Sequence, residues 1–157
     1  MTPPSVPPLV FAPLLFEKIW GGGRLPDVAG IPATRTGKVG EAWILADRQG
    51  AQTRVREGPF EGRTLRSLLE EHPSAILGRE DPSAPFPLLV KFLDAAELLS
   101  IQVHPDDEAA RREGEVDRGK HEAWLFLRIG AGARVFAGLG PGIGRARFEE
   151  ALRDGVG

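Results

Sequence analysis

Glycine and proline interrupt this 157-residue chain so often that only short elements fit between them: it holds 20 glycines and 14 prolines. The apolar runs that remain are four to eight residues long, which suits strands better than long helices. Strand candidates are residues 9–16, 41–47, 87–93, 98–104, 122–129 and 134–139. Pro13 makes the first an edge strand, because a proline cannot donate to a ladder on both sides. Gly21, Gly22 and Gly23 read as a loop, and Asp94 to Glu97 as a turn. Short strands with Gly/Pro connections favour a sandwich or barrel over a doubly wound sheet.

Helices are secondary in this pattern. Thr64 to His72 places Leu65, Leu68 and Leu69 at helical spacing, with Thr64 as N-cap and Pro73 beyond the end. Asp106 to Glu113 is a charged surface helix, and Phe148 to Arg153 begins an amphipathic one. Residues 1–8 hold four prolines and form a lead-in, so the expected domain is 9–157. With a helix starting so near residue 157 and no strand after it to pair with the late ones, that domain reads as truncated.

Composition removes several function classes. There is no cysteine, which excludes disulfides, thiolate zinc sites and cysteine nucleophiles. Twenty basic against 22 acidic side chains leave a net charge of −2, with no basic surface to expect a nucleic acid on. No basic leader precedes an apolar core at the N-terminus, and no run reaches the ~18 apolar residues that span a membrane. The expectation is a cytoplasmic protein with neither nucleic-acid nor membrane partners and of unspecified oligomeric state.

The densest chemistry lies between Ser100 and Glu122. On a strand, Ser100, Gln102 and His104 share one face, while Leu99, Ile101 and Val103 share the apolar other. Three polar groups in a row must find partners if buried, and a metal ion would satisfy two at once. Glu122, on the face of Trp124 and Phe126, wants a cation. Gln102, His104 and Glu122 thus form a candidate oxygen–nitrogen–oxygen metal set. A second reading stays open: Pro105, Asp106 and Asp107 make a good helix start, so His104 could simply precede a helix as an ordinary hydrogen-bonded residue. Gly114 to His121 nearly matches the phosphate-binding GxxxxGK[ST] pattern, but it follows a helix and precedes a strand, the reverse of what a phosphate cradle requires. His72, at a helix end, reads as a surface residue.

Several stretches resemble the catalytic domain of type I phosphomannose isomerase. They are FEKIWGGGRL at 16–25, GEAWILAD at 40–47, PFPLLVKFLDAAELLSIQVHPDDEAA from Pro85, and GKHEAWLFLRIGAGARVFAGL from Gly119. The resemblance runs from about Leu14 to Arg153. It implies an incomplete cupin-like (jelly-roll) β-barrel with short helical excursions, and a zinc-dependent isomerase interconverting mannose 6-phosphate and fructose 6-phosphate. It also implies a sugar-phosphate partner and one zinc per active site. Gln102, His104 and Glu122 fall on the family's metal ligands, Lys120 on its active-site lysine, and Ser100 on a position facing the substrate pocket. The family's fourth ligand, a histidine, and its active-site arginine would lie beyond residue 157. His121 stands where many members carry threonine and should point away from Glu122's face. A non-catalytic metal- or sugar-binding cupin module is the alternative reading.

Overall fold

A computed structural model describes residues 6–31, 38–78, 86–114 and 119–155. The chain divides into two compact units, residues 1–99 and 100–157. The first holds all seven described strands. β1 (Phe11–Ala12) pairs antiparallel with β6 (Arg54–Val55), and β4 (Asp47–Arg48) with β5 (Ala51–Gln52). β2 (Leu14–Gly22), β3 (Val39–Leu45) and β7 (Val90–Leu93) form an antiparallel sheet in the order β2-β3-β7. Pro13 separates β1 from β2, and β2 lies at a sheet edge, as expected for that residue.

The glycines at 21 and 22 belong to β2 rather than to a loop. The reason is close approach: a Cβ on Gly21 would stand 2.6 Å from the Gly40 nitrogen and 2.8 Å from the Lys38 oxygen. Side-chain-free residues let the two backbones touch there, and Gly22 donates its N–H to the Asp94 carbonyl at 3.0 Å.

Between β6 and β7 lie α2 (Leu65–Glu71) and α3 (Pro73–Ile76); α1 (Leu25–Ala29) follows β2. α2 forms where the leucine spacing predicts it. The Thr64 side chain accepts from the Ser67 N–H, satisfying one of the first-turn donors, and Leu65, Leu68 and Leu69 are buried. Thr53, also fully buried, is satisfied through its hydroxyl, which bonds both the N–H and the carbonyl of Ala46. Asp47 is 4% exposed, and its carboxylate accepts from Arg66, Gln52 and the Phe86 N–H. A buried carboxylate is tolerable only with such partners. His72 differs from its surface reading: it is largely buried beside α2, its ring 5.4 Å from that of Phe60.

The second unit contains α4 (Asp107–Arg112) and α5 (Arg145–Asp154). α4 begins as expected, with the Asp106 carboxylate accepting from the Ala109 N–H at 2.8 Å. The expected strands at 98–104, 122–129 and 134–139 do not form ladders among the described residues. Strands need a partner for their N–H and C=O groups, and no described segment supplies one. Their apolar side chains are consequently exposed, Ile101 at 77% and Val103 at 80%, together with Leu125, Ile129 and Phe136. The architecture is mainly β with short helices, and the described strands close no barrel.

Candidate functional site

The candidate residues lie within the second unit. His104 ends the segment that leads through Pro105 into α4, and Lys120 and Glu122 lie on the segment that starts at Gly119. The Lys120 N–H donates to the Pro105 carbonyl at 3.1 Å, which brings the two segments together without a ladder.

Three side chains meet there. His104 Nε2 is 3.2 Å from Glu122 Oε2, Lys120 Nζ is 3.1 Å from the same His104 Nε2, and Lys120 Nζ is 3.0 Å from Glu122 Oε1. A lysine ammonium can only donate, and a carboxylate can only accept. The role of His104 Nε2 follows its tautomer: with the proton on Nδ1 it accepts from Lys120, and with the proton on Nε2 it donates to Glu122. In either tautomer the three side chains stand within hydrogen-bond distance of one another.

The Glu122 carboxyl responds to these neighbours. Burial pushes its pKa up, but hydrogen bonds from Lys120 and Trp124, the Lys120 charge and the His104 contact outweigh that and bring it down to about 2. Glu122 is therefore an anion at any ordinary pH.

Ser100 and Gln102 are placed differently. Gln102 Nε2 donates to Ser100 Oγ at 3.1 Å, so these two residues share a side, as residues two apart on an extended segment should. Among the described contacts Gln102 does not touch His104 or Glu122, and both Ser100 and Gln102 are exposed. His121 is exposed. The phosphate-cradle pattern at 114–121 lies partly outside the described residues.

A second charged cluster, on the sheet of the first unit, was not singled out by residue spacing. Glu41 is 9% exposed and accepts from Trp43 Nε1 at 2.7 Å and from Lys91 Nζ at 3.4 Å, with Lys18 Nζ at 3.8 Å. Burial raises its pKa, while the Trp43 bond and the charges of Lys91 and Lys18 bring it below the usual value. Trp43 faces Lys91 across the β3–β7 ladder, which puts Glu41 diagonal to that lysine on the same face. The available signal was a carboxylate and a lysine inside otherwise apolar strands, EAWIL and LLVKFL. A cleft of about 570 Å³ elsewhere on this unit is lined by Leu14, Phe16, Gln52 and Arg54 among others, with no carboxylate or imidazole among its lining residues.

Comparison with known proteins identifies the fold and the family. The β architecture is that of an incomplete cupin: the chain superposes on the crystal structure of mannose 6-phosphate isomerase from Bacillus subtilis with a TM-score of 0.64. That match is 39% identical and covers 71% of this chain and 35% of the other. Residues 10–123 match the type I phosphomannose isomerase catalytic domain, and the chain belongs to that family. Mannose-6-phosphate isomerase ManA of Bacillus subtilis is 38% identical over 155 residues, covering 93% of this chain and 48% of the relative. The probable mannose-6-phosphate isomerase GmuF of the same organism is 39% identical over 133 residues, covering 83% and 41%. The chain thus spans less than half the length of these relatives. A putative mannosephosphate isomerase from Archaeoglobus fulgidus, 25% identical, superposes over 73% of this chain with a TM-score of 0.54.

Proposed function

We propose that this chain carries the metal-binding part of a zinc-dependent aldose–ketose isomerase that interconverts mannose 6-phosphate and fructose 6-phosphate. The observation that carries the reading is the approach of His104 Nε2 and Glu122 Oε2 to 3.2 Å, with Lys120 Nζ at 3.1 Å and 3.0 Å from the two side chains. Two ligands bonded to one tetrahedral zinc at roughly 2.0–2.2 Å stand about 3.3 Å apart, so the pair already has the spacing a shared ion requires. The donor types fit as well: His104 supplies an imidazole nitrogen, Glu122 a carboxylate, and Gln102 an amide oxygen on the same segment as His104. One carboxylate against a dication leaves a net positive centre, suited to a Lewis acid.

Zinc, when bound, supplies the electron-withdrawing centre that polarises a sugar oxygen. The remaining chemistry belongs to side chains. Isomerisation breaks the C2–H bond of the aldose, delivers a proton to C1 and moves the carbonyl from C1 to C2. Glu122 stays ionised and so holds its place without taking up the proton in transit. Lys120, whose ammonium contacts both His104 and Glu122, would lose those acceptors if a metal ion were held by the two side chains. Its charge is then available to an anionic substrate, as proton carrier or as electrostatic clamp. Ser100 holds the Gln102 nitrogen, which leaves the amide oxygen as that side chain's end for a cation. A charged sugar phosphate does not cross membranes unaided, which fits a cytoplasmic location.

The names of the relatives support the substrate. A coupled assay on mannose 6-phosphate tests the reading. A chain extended by the C-terminal half of a relative should turn over with zinc and stop with a chelator; Lys120→Met in it should cost about 10²–10³ in rate. An extended, zinc-loaded chain that binds the sugar phosphate but does not convert it would favour the non-catalytic module instead.

A further inference from the structure

We propose that Asp107 and Gly119 form a clamp that sets Lys120 and Glu122 against His104, making them positioning residues of the candidate metal centre; the metal part of this proposal rests on the function proposed above. Asp107 Oδ1 accepts from the Gly119 N–H at 2.9 Å, and the next N–H, that of Lys120, reaches the Pro105 carbonyl at 3.1 Å. Two consecutive donors of one segment are thus tied to the residues on either side of Asp106 on the other. Pro105 directly follows His104, and Glu122 comes two residues after Lys120, so these bonds fix how far the imidazole stands from the carboxylate.

The clamp closes only on glycine. A Cβ at position 119 would lie 2.3 Å from the Asp106 carbonyl carbon, 2.4 Å from the Asp107 nitrogen and 2.7 Å from the Asp106 Cα. All three are backbone atoms, which cannot swing aside as a side chain can. The division of labour between the adjacent acids is equally specific. Asp106 caps α4 through Ala109, while the Asp107 carboxylate reaches across to Gly119. Asp107 is exposed, so its side chain contributes no core packing. With no ladder between the two segments, a displaced Gly119 would carry Lys120 and Glu122 with it.

The test compares the full chain with Asp107→Ala, Asp107→Asn and Gly119→Ala. Asparagine keeps the Oδ1 acceptor and loses only the charge. Two readouts are taken: the NMR resonances of the Gly119 amide and the His104 ring in metal-free protein, and zinc affinity by competition with a chromophoric chelator. In Asp107→Ala the Gly119 amide and His104 ring resonances should both move, and zinc affinity should fall about tenfold to a hundredfold, the range typical of residues that orient ligands. Asp107→Asn should restore the His104 resonance and the affinity, and Gly119→Ala should resemble Asp107→Ala. Should Gly119→Ala unfold the unit, the two Asp107 variants still decide. A His104 ring and a zinc affinity untouched in Asp107→Ala would overturn the proposal, as would failure of asparagine to rescue. If the unaltered chain takes up no zinc, the metal reading fails by itself, and the clamp stands or falls on the His104 resonance.

Discussion

Replacing Lys120 by methionine removes the cation that contacts both His104 and Glu122 while keeping a side chain of similar length. The ammonium stands 3.0 Å from Glu122 Oε1, and its side chain is 40% exposed. Two unit charges at that distance in a water-like medium interact by about 1.4 kcal/mol, or about one pKa unit. That medium is the appropriate one for a pair so open to solvent. The Glu122 carboxyl, held down to about 2 by Lys120, Trp124 and His104 against the effect of burial, should therefore titrate about one unit or more higher in Lys120→Met. The side-chain carboxyl carbon of Glu122, followed by NMR against pH in metal-free protein, reads this directly. Because the folded-state pKa is lowered, the stability it contributes is complete above the ordinary value of 4.5 and is lost as pH falls towards 2. The variant should lose correspondingly less on acidification. A Glu122 that titrates near 4.5 in the unaltered chain, or that Lys120→Met leaves in place, would refute the three-way contact.

Other outcomes follow from the first unit. Asp47→Ala withdraws the acceptor shared by Arg66, Gln52 and the Phe86 N–H, and should cost about 3 kcal/mol in denaturant unfolding, the low end for a broken buried pair because Arg66 is partly exposed. Gly21→Ala should lower Tm, since its methyl would collide with the β3 backbone and no rotamer relieves that; an unchanged Tm would contradict the β2–β3 register. Leu68→Ala should cost about 2–5 kcal/mol, as it opens a cavity at a fully buried position of α2. Zinc binding should survive His72→Ala, whose ring packs on Phe60, and should be lost in His104→Ala; chelator competition on the two variants checks both.

Local features of this chain were legible from residues alone, and non-local ones were not. α2 and the start of α4 follow from a capping side chain and spacing within one or two turns. β3 and β7 were recognisable as apolar runs, although their pairing was not. The segments at 98–104, 122–129 and 134–139 carry strand-like alternation, but a strand exists only with a neighbour, and alternation cannot show whether one is present. Gly21 and Gly22 looked like a loop because close backbone approach is invisible until the opposite strand is placed. At the site, alternation and residue type singled out His104 and Glu122, which do meet. Gln102 turns instead to Ser100, a bond that side-chain chemistry permits but does not dictate. The Asp107–Gly119 contact spans twelve positions and leaves no local pattern.

X-ray absorption at the zinc edge of the zinc-loaded chain tests the metal assignment most directly. The account predicts a first shell of nitrogen and oxygen at roughly 2.0–2.2 Å that includes one imidazole, with the imidazole signal gone in His104→Ala and the oxygen count reduced in Glu122→Ala. A zinc spectrum that neither substitution alters would show that the ion binds elsewhere, and the proposed centre at Gln102, His104 and Glu122 would be wrong.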